Sequence, residues 1–168
     1  KPQTDDLARD HRILTMDHRG LGESPDVPTG PLRMRDLASD VRRVMDEAGF
    51  ARPHLVGVSM GGMIAQELAV THPERFKSLT LIATHPGRSP RTLPGPKAMR
   101  HFADATFGTP AKRRGALLAL LYTPEFVAHA TPALLEARME AQFGQRASPR
   151  VAAAQLAAVV RHDVTDRL

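Results

Sequence analysis

His54-Leu55-Val56-Gly57-Val58-Ser59-Met60-Gly61-Gly62 is the stretch that decides how this chain folds. His54 to Val58 is a short β-prone run. From Met60 to about Thr71 the pattern turns helical, with Ile64, Leu68 and the small Ala65 and Ala69 inward, and Pro73 cannot continue it. Between them lies G-x-S-x-G. On a sharp strand-to-helix turn the serine occupies a strained backbone position. Its neighbours two residues to either side, Gly57 and Gly61, must be small so that strand and helix can pass closely. Ser59 is therefore the candidate nucleophile. It would project at the carboxyl end of the sheet, where open α/β folds place ligands. The helix that starts at once turns its positive end to that point. The Met60 N–H is then the candidate donor to a developing oxyanion, an interaction often worth about 3 kcal/mol of barrier.

Working outward, Phe76–Thr84 is a further strand, β-prone almost throughout, as expected when both faces are covered. Upstream, Arg12–Asp17 is a short β-prone run ending at a Gly-rich turn, followed by a loop with Pro25, Pro28, Gly30 and Pro31. A helix from about Met34 to Ala48 carries Leu37, Val41, Val44, Met45 and Ala48 at helical spacing, with Gly49 as its stop. Strand, helix, strand, helix, strand predicts an α/β fold with about three parallel strands. After a breaker-rich linker, 85–97, the chain reads as helices only. They are placed near Ala98–Phe107, Ala111–Tyr122, Pro132–Phe143 and Pro149–Val160. The expected organisation is thus a core over 1–84, the linker, and a helical region over 98–168.

Composition narrows the function classes. The chain has 168 residues, enough for one domain with a sizeable core, and 42% of them are apolar. There is no cysteine, which excludes disulfides, thiol catalysis and thiolate-bound metals. The formal charge of +5 comes from scattered basic residues, with short runs at Arg42-Arg43 and Arg113-Arg114. A nucleic-acid binder would gather them on one element, so no nucleic-acid partner is expected. The longest apolar run, Ala116–Tyr122, is too short to span a bilayer. No membrane partner and a cytoplasmic location are expected. His11, His54, His72, His101 and His129 show no metal-ligand spacing, and neither metal nor cofactor is expected.

A second segment supports the first. Asp17-His18-Arg19-Gly20-Leu21-Gly22-Glu23-Ser24 follows the first strand, His72-Pro73-Glu74-Arg75 ends the helix after Ser59, and Leu79-Thr80-Leu81 lies in the strand beyond. In these motifs, over roughly Asp6 to Thr84, the chain resembles the α/β-hydrolase family, and more loosely beyond as the helical cap that many members carry. The resemblance implies a partial α/β-hydrolase fold holding the family's fourth to sixth strands. It implies a serine hydrolase acting on a small-molecule ester, lactone or related acyl substrate, most similar to the 3-oxoadipate enol-lactonases. Cofactor-free perhydrolases share the signature and stay open as an alternative. So does a non-catalytic hydrolase-like module that binds a small ligand. Gly20 and Gly22 serve the turn, and Asp17 with Arg19 is expected to anchor the loop by hydrogen bonds. Gly62, Met60 and Met63 are expected near the site, the methionines as packing.

A serine needs a base and a group to orient it. In the family the acid usually follows the seventh strand and the histidine the eighth. Thr84-His85-Pro86-Gly87, the other place for the acid, holds no carboxylate. The family's H-G segment, source of a second oxyanion N–H, is not found either. The chain therefore reads as an internal fragment, inactive alone, with oligomeric state left open. His18 and His85 read as loop and linker residues. His162 and Asp163 are adjacent and so poorly placed to orient one another. Asp163 and Asp166 read as surface or capping carboxylates. The resemblance also places the third strand between the fourth and fifth. Arg12–Asp17 is then expected either to stand apart from His54–Val58 or to move against it, and the isolated chain to be marginal and prone to association.

Overall fold

The computed structural model describes residues 2–25, 30–87, 94–143 and 147–167. The readings of Lys1, Pro28 and residues 88–93 of the linker, Pro90 included, lie outside them. A short helix, α1 (Pro2–Leu7), precedes a long irregular stretch and α2 (Met34–Glu47). Then come β1 (His54–Val58), α3 (Met60–Thr71), a 3-10 turn at Pro73–Arg75, and β2 (Ser78–Ile82). The remainder is helical: α4 (Pro96–Phe107), α5 (Pro110–Leu121), α6 (Pro124–His129), α7 (Pro132–Phe143), α8 (Pro149–Arg161), and a 3-10 turn at Thr165–Arg167.

The sheet has two strands among the described residues, not three. β1 and β2 pair in parallel, from His54 opposite Ser78 to Val58 opposite Ile82, with α3 as the crossover. Arg12–Asp17 stands apart and is not a strand. Backbone ladders need a neighbour, and no described segment pairs with this one. Side chains hold it instead. Arg12 lies over the Phe50 ring, 4.3 Å from its centre, and donates to the Ala48 carbonyl, while Leu14 packs on the core.

That core joins α2 to α3. Met34, Leu37, Ala38 and Met45 meet Met63, Ile64 and Leu68, with Phe76 and Ala158 closing the cluster. Leu37 and Leu68 are wholly enclosed, each contributing on the order of 2 kcal/mol. α2 ends where Gly49 adopts φ 68°, and the Gly49 and Phe50 N–H groups cap the carbonyls of Asp46 and Met45. α3 is buried from Gly62 to Leu68, the environment of a helix apolar nearly all round.

Helix starts in the second half follow one rule, met as expected at Pro132 and Pro149 and one residue early or unforeseen at Pro110 and Pro124. Thr109-Pro110, Thr123-Pro124, Thr131-Pro132 and Ser148-Pro149 each place proline at the first helical position behind a hydroxyl cap. The four hydroxyls accept from the backbone N–H three residues on, at 3.2 to 3.5 Å. The helix expected from Ala111 therefore begins at Pro110, the one expected from Ala98 begins at Pro96 behind Gly95 without a side-chain cap, and α6 is an addition. Packing also divides the helical region. α4, α5 and α7 share a small cluster around Ala105, Ala116 and Leu117, whereas α8 packs through Ala158 and Val159 on the core of α2 and α3.

The expected covering of both sheet faces is not found. Every residue of β2 is exposed, and Val56 and Val58 of β1 are 60% and 55% exposed. Leu55 packs on the core, so one face is served and the other has no layer among the described residues. Bare apolar strands with open edges are templates for association. The 168-residue chain is expected to bind anilinonaphthalene sulfonate and to elute larger as its concentration rises. Lysine at Val56 and Val58 should suppress both, and a monomer with a sharp thermal transition would contradict the expectation.

Candidate functional site

Ser59 sits between the last residue of β1 and the first of α3 with φ 52° and ψ −119°, a conformation that L-residues rarely adopt. Its own N–H bonds the Ile82 carbonyl at 2.9 Å, while its carbonyl accepts from Gly62 N–H at 2.9 Å. The turn is thus pinned at the carboxyl ends of both strands and at the start of the helix. A serine in this place would normally cap the helix through its hydroxyl. Ser59 makes no such bond and its side chain is exposed. The Met60 amide, first in α3, has no intrahelical partner by geometry. Ala83, just past β2, is the other non-glycine residue with positive φ among those described, at 49°. Both conformational outliers therefore lie at the same sheet edge.

The glycines divide differently from the motif. A Cβ on Gly57 would lie 2.5 Å from the Gly61 carbonyl oxygen and 2.7 Å from the Gly62 Cα. One on Gly62 would lie 2.6 Å from Thr84 Cβ, yet one on Gly61 would meet nothing within 4 Å. The close approach expected at Gly57 and Gly61 is made at Gly57 and Gly62. Gly61 contributes its backbone, and its lack of a side chain leaves open space.

The Asp17–Ser24 loop closes on itself. Ser24 Oγ donates to the Asp17 carbonyl at 2.7 Å, and Gly20 and Gly22 take φ of 76° and 54°. Gly22 presses on the Asp17 carboxylate, where a Cβ would be 2.0 Å from Oδ2. Arg19 carries its anchoring bonds across to α2. Arg19 donates twice to Asp40, at 2.6 and 2.5 Å, a fork geometry that suits guanidinium and carboxylate. That bond holds the Arg19 guanidinium above its ordinary pKa. His18, next to it, is half-buried, and burial lowers its pKa against the pull of Asp40 and Asp17. No described hydrogen bond links the loop to Ser59.

His162 is the residue whose surroundings sequence reasoning missed. It is 3% exposed, and its Nε2 lies 2.9 Å from Gln66 Oε1 on α3. Its Nδ1 is 3.7 Å from Glu67 Oε1, too far for a hydrogen bond, and has no other partner. Glu67 is instead bonded by Arg167 at 3.0 Å. Val164 N–H reaches the Pro86 carbonyl at 2.7 Å, and Asp163 caps Thr165 N–H at 3.0 Å, the capping role read from the sequence. The available signal was Gln66-Glu67 inside an otherwise apolar helix, since buried polar groups need partners. The Nδ1 and Thr84 Oγ1 of this region, like His85 Nδ1, are buried without a hydrogen bond.

Burial lowers the His162 pKa first, with Glu67 opposing and His85 and Arg167 adding to the lowering. The folded state therefore prefers the neutral ring, while the unfolded chain protonates it near the ordinary value of about 6.5. This contribution is complete above that value and is lost as pH falls below it, because the unfolded state then binds more protons. Urea denaturation at pH 7.5 and 5.5 should show the loss, with a smaller difference in His162→Gln. An unaltered difference would remove His162 from the account.

The profile of the alpha/beta hydrolase fold matches residues 2–157, and the chain belongs to that family. Among curated relatives, RutD of Azorhizobium caulinodans, named as a carbamate hydrolase, is 41% identical over 83 residues, which cover 49% of this chain and 31% of that protein. Among solved structures, the enol-lactonase of Burkholderia xenovorans LB400 superposes with a TM-score of 0.76 at 27% identity, over 99% of this chain and 61% of that one. A thermophilic esterase from Thermogutta terrifontis gives 0.74 at 27% identity, over 99% and 60%. The chain spans about a third of the curated relative's length and about three fifths of the solved structures. No described helix is long and apolar enough to cross a membrane.

Proposed function

We propose that Ser59 is the nucleophile of a serine hydrolase acting on a carboxylic ester, a lactone or a related acyl bond. The observation that carries this reading is an exposed, unbonded hydroxyl on a positive-φ turn between a parallel strand and a helix. Ser59 Oγ would attack the carbonyl carbon and pass its proton to an imidazole, which would return it to the alcohol oxygen as the acyl C–O bond breaks, leaving the acyl group on Ser59. The Met60 N–H, pre-aimed and costing no reorganisation, would hold the oxyanion. Water would then release the acyl group from Ser59. The imidazole is not His162, which is enclosed, bonded to Gln66 and carried at the far end of the chain's contact with α3. We assign base and acid to polypeptide outside these 168 residues, so this chain alone turns over no ester. The helices from α4 to α7, with a cluster of their own, would serve as a lid over the acyl pocket.

The test uses the polypeptide encoded by the reading frame that contains these residues. A fluorophosphonate should modify it, with the adduct on the peptide carrying Ser59. Absence of the adduct would overturn the assignment.

A further inference from the structure

We propose that the cleft between the start of α2 and the end of α8 binds a phosphate dianion, free or as the phosphate group of a small metabolite. The reading of Ser59 is not needed for it. The cleft has a volume of about 510 Å³ and is walled by Arg33, Arg35, Arg161 and Arg167, with Glu67 and Asp163 as the only carboxylates on its lining. Four guanidiniums against two carboxylates leave a surplus of two positive charges, which one dianion cancels.

The guanidiniums are not equivalent. Arg167 is engaged by Glu67 at 3.0 Å, while Arg33, Arg35 and Arg161 make no ion pair among the described residues. They come from two segments more than a hundred residues apart that converge here because Ala158 packs into the core of α2 and α3. Like charges brought together on a concave wall repel, and an oxyanion with several acceptor oxygens relieves that repulsion while satisfying forked donors. α2 opens on the same cleft, through Met34, so its positive end adds to the field. Asp36 is turned to the Arg33 N–H at 2.8 Å and is not on the lining. His162 lines the cleft with its side chain enclosed, its Nε2 held by Gln66. Pro31, Met34 and Ala158 supply an apolar portion, and the volume exceeds what one phosphate fills, leaving space for a small organic group.

The site lies on α3 two turns past Ser59, about 12 Å along the axis. It also ties the segment after α8 to the start of α2. Occupancy should therefore stabilise the docking of α8 and not only fill a surface.

The test titrates the polypeptide encoded by the reading frame with inorganic phosphate at constant ionic strength, by calorimetry and thermal unfolding. Saturable binding with Kd below about 1 mM and a Tm rise of a few degrees are expected, with chloride inert. The double variant Arg35→Gln/Arg161→Gln should bind about tenfold more weakly or worse, with Arg9→Gln, remote and exposed, unchanged. Glycerol phosphate binding more tightly than inorganic phosphate identifies a phosphomonoester, and the reverse order identifies free phosphate; both support the site. No saturable heat at millimolar phosphate, an equal response to chloride, or full binding in the double variant overturns it. Unfolding of the double variant without phosphate, compared with the parent, separates lost binding from lost structure.

Discussion

Gly57→Ala is expected to destabilise the fold severely, and Gly57→Val to leave little folded protein. The added carbon would stand 2.5 Å from a carbonyl oxygen and 2.7 Å from a Cα, both backbone atoms of the first turn of α3. No side chain can rotate away to relieve this, so strand and helix would have to separate. β1 is tied to β2 along its length, and α3 is embedded between the sheet and α2. The strain would therefore spread into the main core, where overpacking costs about 1–3 kcal/mol even when side chains can adjust. A cost at or above the top of that range would consume a large part of the 5–15 kcal/mol that stabilises a typical domain. Gly61→Ala is the control. Its Cβ meets nothing within 4 Å, and alanine in a helix is favoured over glycine by about 1 kcal/mol. Urea denaturation of the two variants should differ by several kcal/mol in opposite directions. Equal midpoints would mean that the motif's glycines serve something other than close packing.

The same pair of glycines marks how far the sequence could be read. The strand–turn–helix around Ser59 was legible because local pattern and punctuation agree there, and α2 and α3 end where Gly49 and Pro73 stop them. The rest is non-local. Arg12–Asp17 has the residues of a strand, but a strand is a relation between two segments, and with no described partner it stands apart, one of the two outcomes expected of it. Arg19 anchors the loop as its motif suggests, but its partner, Asp40 on α2, is 21 residues away and not marked by any local pattern. Gln66, Glu67, His162 and Arg167 meet across about a hundred residues. Nothing in their spacing announces it, although two polar residues in a buried helix demand a partner. The helix starts at Pro132 and Pro149 are legible in the sequence, whereas at Thr109-Pro110 and Thr123-Pro124 the start comes earlier than, or is absent from, the expected pattern, because the hydroxyl before the ring caps the helix there too.

At Ser59 itself, two substitutions should separate what the hydroxyl does from what the backbone costs. In the polypeptide encoded by the reading frame, Ser59→Ala and Ser59→Gly should both abolish fluorophosphonate labelling. Both should lower ester turnover by on the order of 10³- to 10⁶-fold, the range seen when a hydrolase loses its nucleophile. Stability should split them. Alanine keeps a Cβ at φ 52° and therefore keeps the strain, and it removes no cap bond because Ser59 makes none. Its Tm should stay near that of the parent. Glycine accepts this backbone freely, recovering about 1–3 kcal/mol of strain against about 0.5–1 kcal/mol of extra chain entropy. A net gain on the order of 1 kcal/mol should appear as a Tm a few degrees higher. A more stable protein that has lost its chemistry would mean that the turn is held strained for the sake of the hydroxyl. If glycine and alanine melt together, or if either retains labelling, position 59 is an ordinary turn and the nucleophile must be sought elsewhere.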